Sequence, residues 1–241
     1  MADVLILAIE TATGCGSVAL TRGTGHSGKV LAEYSLQPEV THARRLLGSV
    51  QAIMKSVGVE WKHLDGIAVS QGPGSFTGLR IGMAAAKGMA MAAGIPILAV
   101  PTLDGLAAQM PPVDCPVCCL LDARKQQVYA ALYRCEDKGH QRISPYLVLR
   151  PADLVAHVQE PTLVVGPGVQ ACLPVLQGHP LVRLMSTTLL APRAAAIGFC
   201  GGLQLASWIG ELNEHVVPLY VRASEAELNL RSQEQPMAGT R

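Results

Sequence analysis

Residues 71–82 read Gln71-Gly72-Pro73-Gly74-Ser75-Phe76-Thr77-Gly78-Leu79-Arg80-Ile81-Gly82, a set of types suited to holding an anion. Gly72 and Gly74 permit backbone geometry closed to residues with a Cβ. Ser75 or Thr77 can cap a following helix by accepting a backbone N–H. Free amides at that helix start, the helix dipole and Arg80 together would offer a phosphate a positive site. A tight turn with an ordinary cap explains the same residues without any ligand. Two better-known loops are excluded by spacing. A Walker loop needs Lys-Ser or Lys-Thr directly after its last glycine, and Gly78 is followed by Leu79-Arg80. A hydrolase elbow centred on Ser75 needs glycines at 73 and 77, where Pro73 and Thr77 stand.

Other groups that could do chemistry are sparse. Glu10 and Asp122 each end an apolar run, the strand-tip position an α/β phosphotransferase needs for a metal-bound nucleotide. The turn after Glu10, Thr11-Ala12-Thr13, is only a degenerate phosphate loop. Cys115, Cys118 and Cys119 resemble half a zinc knuckle, but no second Cys/His pair follows at ligand spacing. They read as buried reduced thiols in an apolar strand. The seven histidines (26, 42, 63, 140, 157, 179, 215) contain no pair at i, i+4. No nucleophile–base pair is legible, so no catalytic residue and no metal ligand are assigned.

The elements that must position the loop are set out by periodicity. Residues 4–9 form a continuous apolar run, a buried strand, and 17–20 return as its hairpin partner. A third strand covers 30–36. Apolar residues Ala43, Leu46, Leu47, Val50, Ile53, Met54 and Val57 at i, i+3, i+4, i+7 spacing predict a helix over 41–57, closed by Gly58. The strand 66–70, a helix over 78–93 and the strand 95–100 make a parallel pair with a crossover. The order then recurs. Residues 117–122 end in an acid, 128–133 return, and 162–168 close on Gly166-Pro167-Gly168, echoing 67–74. These echoes imply two related α/β halves. They divide the chain into an N-terminal domain over 1–104, a C-terminal domain over 105–221 and a polar tail over 222–241. A last helix from Pro192 towards Leu212, weakened by Gly201-Gly202, is able to pack back on the first domain. An extended piece covers 216–221.

The helix over 78–93 carries a second signal. Gly78, Gly82, Ala86, Ala90 and Gly94 recur every four residues, and such a row lets another backbone approach closely. Either the row rests on the chain's own sheet and first helix, or it forms, with the 41–57 helix, a platform for another subunit. The second reading assigns interface roles to His42, Leu46, Val50, Gly78, Gly82, Met83, Ala86 and Ala90. It predicts that Gly82→Leu breaks association with little loss of fold.

The chain has 241 residues, 49% hydrophobic, 15% charged and 4% aromatic, with a net charge of +1. That supports a large aliphatic core and argues against a surface that grips nucleic acid unaided. The N-terminus has no basic region before its short apolar run, no uninterrupted apolar run reaches the ~18 residues of a membrane span, and the cysteines form no secreted-type framework. The expectation is a cytoplasmic protein.

Gly72–Gly82 followed by Ala86-Lys87-Gly88 resembles the signature of the bacterial TsaB (YeaZ) family. So do Leu7-Ala8-Ile9-Glu10-Thr11-Ala12, Thr41-His42, Asp122-Ala123-Arg124 with Val128-Tyr129, and Pro218-Leu219-Tyr220-Val221-Arg222, over roughly residues 4–222. The resemblance implies the duplicated actin/Hsp70/sugar-kinase (ASKHA) α/β fold, two domains each with a mixed sheet flanked by helices. It also implies a part in making N6-threonylcarbamoyladenosine in tRNA. Its catalytic relative TsaD carries a Val-Asn-His-Leu-Glu-Gly-His stretch whose histidines bind a metal. The matching run here is Val100-Pro101-Thr102-Leu103-Asp104-Gly105-Leu106, with Thr102 and Leu106 in place of the histidines, and Leu cannot ligate a metal.

The resemblance thereby implies a non-catalytic scaffold that pairs with TsaD as a heterodimer and shares an assembly with the ATPase TsaE. Alone it would form a homodimer, and it would meet tRNA only through the complex. No cofactor is assigned to this chain by itself; ATP or ADP at the partner interface is the nucleotide reading, with Gly72, Gly74, Ser75, Thr77 and Arg80 as its contacts. The competing class is an independent nucleotide-dependent phosphotransferase using Glu10 and Asp122. A peptidase is disfavoured for want of a zinc set or nucleophile.

Overall fold

Leu5–Glu10 forms β1, buried along its whole length at the centre of a sheet. A strand covered on both faces needs no polar alternation, which explains its uninterrupted apolar run. The structure, a computed structural model, describes residues 3–25, 28–36, 42–137, 139–185, 190–206 and 216–222. β2 (Gly16–Arg22) and β3 (Lys29–Leu36) add antiparallel strands on one side. β4 (Gly66–Gly72) and β5 (Ile97–Pro101) add parallel strands on the other. The first sheet therefore runs β3-β2-β1-β4-β5.

The second sheet repeats that plan with β6 (Val117–Arg124), β7 (Gln127–Glu136), β8 (Gly139–Arg142), β10 (Thr162–Val165) and β11 (Val182–Leu184). Its order is β11-β10-β6-β7-β8, with β9 (Leu147–Leu149) also paired to β7. β6 is antiparallel to β7 and parallel to β10, as β1 is to β2 and β4. The two halves are thus one topology used twice, the duplicated α/β fold.

Helices cover the outer faces. α1 (His42–Val57) and α2 (Phe76–Ala93) close one core over the first sheet. The short α4 (Pro151–Leu154) and α5 (Val169–Leu176) close another over the second. Between the sheets lie α3 (Thr102–Ala107), packed on β6 and β7, and α6 (Ala194–Ala206), packed on β1 and β4.

α6 belongs late in the chain but is fixed to the first sheet. The Ala194 N–H donates to Ser17 Oγ (2.9 Å), the Ala195 N–H donates to Glu33 Oε1 (3.0 Å), and Arg193 pairs with Glu33. A carboxylate at a helix N-terminus is favoured by the dipole, and this one is largely shielded from water. Gly201 has a packing reason: a Cβ there would lie 2.6 Å from the Ala68 Cβ.

Two expectations change among the described residues. α2 begins at Phe76, two residues before the expected start, because Ser75 caps it. Residues 216–222 form no strand. α6 is described to Ala206; its expected continuation to 212, Thr41 and the tail beyond 222 lie outside the described residues.

Candidate functional site

The glycine loop leaves β4 at Gly72, whose φ of 114° is open to glycine and strained for other residues. The Ser75 side chain accepts the Gly78 N–H (3.3 Å) as the cap of α2. On its inner flank the loop meets the turn between β1 and β2. The Ser75 N–H donates to Ala12 O (2.6 Å), the Thr11 hydroxyl donates to Gly78 O (2.8 Å), and the Thr11 N–H donates to Ser70 Oγ (3.3 Å). A Cβ at Gly74 would fall within 3.0 Å of Ala12 O, one at Gly78 within 3.0 Å of Thr11 O, and one at Gly82 within 3.0 Å of the Thr11 hydroxyl. The four-residue glycine spacing is therefore the imprint of the Thr11-Ala12 turn lying along the first turns of α2.

The outer flank is covered by residues 216–222. The Leu219 N–H donates to Gln71 O (2.8 Å) and the Gln71 amide donates to Val217 O (2.9 Å). Leu219 O lies where a Cβ at Gly72 would be, at 2.6 Å. The Tyr220 ring packs on Phe76, centroids 5.0 Å apart. The Arg80 guanidinium sits 3.8 Å from the Phe76 ring centre and donates from Nε to the Tyr220 hydroxyl (3.1 Å). These distances suit aromatic and cation–π attraction.

Beneath the turn lies Glu10, wholly buried. The Ala12 N–H donates to both of its oxygens (2.8 and 3.1 Å). Burial pushes its pKa up to about 8, against the lowering pull of the Ala12 and Thr13 amides and the Ser70 hydroxyl. Glu10 is thus sealed from solvent and already hydrogen-bonded within its own turn, and its burial favours the neutral form. Asp122, at the corresponding tip, is exposed and accepts the Arg124 N–H (2.7 Å). The two acids, both expected at strand tips, therefore sit in different surroundings, one buried and one exposed.

The structure also relocates the other residues assigned from the sequence. Leu219 O and Ala12 O lie where side chains on Gly72 and Gly74 would begin, the Gly78 amide is taken by Ser75, and Arg80 is engaged by Phe76 and Tyr220. Thr77 is exposed on the first turn. These contacts within the chain weigh against a phosphate held by the loop of this chain alone. Leu46, Val50, Gly78, Gly82, Met83, Ala86 and Ala90 are all buried within the chain itself. Their burial corrects the expectation that they form an outward platform, since the small-residue row faces Thr11 and the first core. His42 opens α1, and its side chain lies outside the described residues.

The outward faces are different residues. On α2 they include Arg80, Ala84, Lys87, Gly88, Met91 and Ala92, with Met91 87% exposed. On α1 they include Arg45, Leu47, Gly48, Gln51 and Lys55, with Leu47 54% exposed. A Cβ at Gly48 or Gly88 would meet no atom within 4 Å.

Thr102 and Leu106 are both fully buried on α3, the Thr102 hydroxyl without a hydrogen-bond partner among the described residues. Between them Asp104 accepts two phenolic hydrogens on one oxygen, from Tyr133 (2.7 Å) and Tyr146 (2.8 Å). This clamp ties α3 to the second sheet. Sequence reading missed it, because a carboxylate 29 and 42 residues from its partners leaves no spacing signal. It picked out Thr11, Ala12 and Tyr220 without their contact to the glycine loop. Only the glycine spacing hinted that something thin lay against α2. Among the described residues no helix is long and apolar enough to cross a membrane.

Two mixed sheets of one topology, each flanked by helices, are the plan of the ASKHA group, and comparison places the chain more narrowly. Residues 30–230 match the family model "TsaD: tRNA N6-adenosine threonylcarbamoyltransferase". The chain is 33% identical over 236 residues to the tRNA threonylcarbamoyladenosine biosynthesis protein TsaB of Escherichia coli, covering 95% of this chain and 99% of that one. It is 30% identical over 227 residues to TsaB of Bacillus subtilis, covering 92% and 96%. The solved structure of YeaZ from Pseudomonas aeruginosa aligns with a TM-score of 0.73 at 29% identity, covering 90% of this chain and all of that one. The chain belongs to the TsaB (YeaZ) family, within the wider set that the TsaD model describes.

Proposed function

We propose that this chain acts in tRNA threonylcarbamoyladenosine biosynthesis as a non-catalytic subunit that docks on a TsaD-type transferase and supports its active site. The observation that carries the reading is the outward face of α2. Ala84, Gly88 and Ala92 follow at four-residue spacing with the exposed Met91 beside them, and the adjoining helix α1 also exposes Leu47 and Gly48. Small side chains let a partner helix approach closely, and exposed apolar area gains from being covered. This replaces the buried row as the docking surface while keeping the same two helices.

The same face accounts for a homodimer when no partner is present. TsaE joins through the assembly, tRNA is reached through the partner, and any ATP or ADP belongs to a surface shared with the partner. The loop of this chain, filled by its own carbonyls, supports that assignment, and the shielding of Glu10 weighs against an independent phosphotransferase.

The test is sedimentation of Gly88→Arg and Met91→Glu, each alone and mixed with a TsaD-type chain. Both residues are exposed, so the fold should survive and association should fall at least about tenfold, as expected for a bulky charge forced into a close-packed contact. Unchanged assembly in folded variants would remove the docking reading. Sustained ATP turnover by the isolated chain with Mg²⁺ would remove the non-catalytic one.

A further inference from the structure

The loop that looks like a phosphate cradle is closed from outside by a segment some 140 residues away in sequence. Residues 216–222 do not merely rest there. Val216 is buried in the first core, Leu219 and Val217 exchange hydrogen bonds with Gln71, and Tyr220 engages Phe76 and Arg80. Val221 then packs against the second core, and Arg222 donates to Ala123 O (3.4 Å) at the tip of β6. One short strap thus touches both halves: the first turn of α2 in one, the end of the β6 strand in the other.

We propose that residues 216–222 are a latch that holds the Gly72–Arg80 loop shut and couples the start of α2 to the β6–β7 tip. The Gly72-Gly74 turn is spacious because a carbonyl of the latch and one of the β1–β2 turn must enter it, and a bound phosphate is not the occupant it was shaped for. The tip at the far end is itself constrained. Arg124, Lys125 and Gln126 all have positive φ (58°, 50° and 57°), a sparsely populated region for residues with a Cβ. A latch touching the residue before that turn is placed to bias it. Loosening either end therefore loosens the other, as expected when two sites share one two-state element.

The latch acts within the chain alone and does not depend on docking to a TsaD-type partner. It is tested by amide hydrogen exchange on the full chain, comparing the parent with Tyr220→Ala/Arg222→Ala and with the milder Tyr220→Phe/Arg222→Lys. The latch predicts that the double-alanine variant exchanges at least about tenfold faster at Leu219, Ser75 and Arg124, the factor expected when one or two hydrogen bonds leave the opening equilibrium. Residues 5–10 and 66–70 should be unchanged. The conservative variant should fall between, and it carries the test if the alanine variant does not fold. Faster exchange at Leu219 with no change at Ser75 and Arg124 overturns the proposal, because the segment would then be a passenger. Parent-like exchange at all three positions refutes the latch whatever happens to partner binding. Faster exchange at all three supports it even if the docking surface fails its own test, so the two readings separate.

Discussion

Gly82 and Gly88 sit six residues apart on one helix, and replacing each with Ala should change stability in opposite directions. Taken alone, Ala for Gly in a helix interior is favoured by ~1 kcal/mol. At Gly88 nothing opposes that gain, since the position is exposed and no atom lies within 4 Å of a new Cβ. At Gly82 the Cβ would come within 3.0 Å of the Thr11 hydroxyl and 3.3 Å of the Thr11 Cβ. Thr11 is only 1% exposed, and its hydroxyl is spent on Gly78 O. Overpacking a tight contact costs about 1–3 kcal/mol. Displacing a buried hydrogen bond costs about 1–3 kcal/mol more. Set against the helix gain, Gly82→Ala should destabilise by roughly 1–5 kcal/mol and Gly88→Ala should stabilise by up to about 1 kcal/mol. Urea unfolding followed by circular dichroism reads both as shifts of the midpoint at constant slope. It should be repeated at several protein concentrations, because self-association adds to apparent stability. A Gly82→Ala protein as stable as the parent, yet weaker in association, would refute the inward assignment of the glycine row.

Buried polar groups give two more expected outcomes. A carboxyl whose folded pKa lies near 8, above its ordinary 4.5, keeps its proton in the native chain while the unfolded chain releases it. Stability contributed by Glu10 is thus full below about pH 4.5, falls as pH rises, by at most about 1.4 kcal/mol per unit, and levels off above about 8. Glu10→Gln should flatten that slope and gain on the parent at alkaline pH; a parent already flat across the window contradicts the assignment. At the α3 clamp, Asp104→Ala strands two phenols, Tyr133 being fully buried, and should cost about 1–3 kcal/mol. Tyr133→Phe and Tyr146→Phe should each cost less, about 0.5–1.5 kcal/mol, and a double-mutant cycle giving no coupling to Asp104 would dismiss the clamp.

Much of the local structure was legible because it depends on neighbours in sequence. The apolar run of β1, the helical spacing of Leu46, Val50, Ile53 and Met54, and the recurrence of Gly-Pro-Gly at 72–74 and 166–168 all mark their elements directly. The site was only half legible. A four-residue glycine row reports that a backbone comes close, but the rule is steric and symmetric, so it does not say whose backbone. Here it is Thr11 and Ala12 of the same chain. The same limit applies to the anion reading, since an amide or a cavity suited to phosphate oxygen accepts a peptide carbonyl equally well.

Fold class, duplication and family could all be read from residue order, because periodicity, turn chemistry and a long ordered motif survive without coordinates. Four things needed the folded chain: which face of α2 is outward, that Glu10 is sealed and its pKa raised by burial, that Asp104 holds two tyrosines, and that residues 216–222 close the glycine loop. The last two join residues from 29 to 146 positions apart. Burial, desolvation and hydrogen-bond partnership are set by what folding brings alongside a residue, and no local spacing encodes that neighbour.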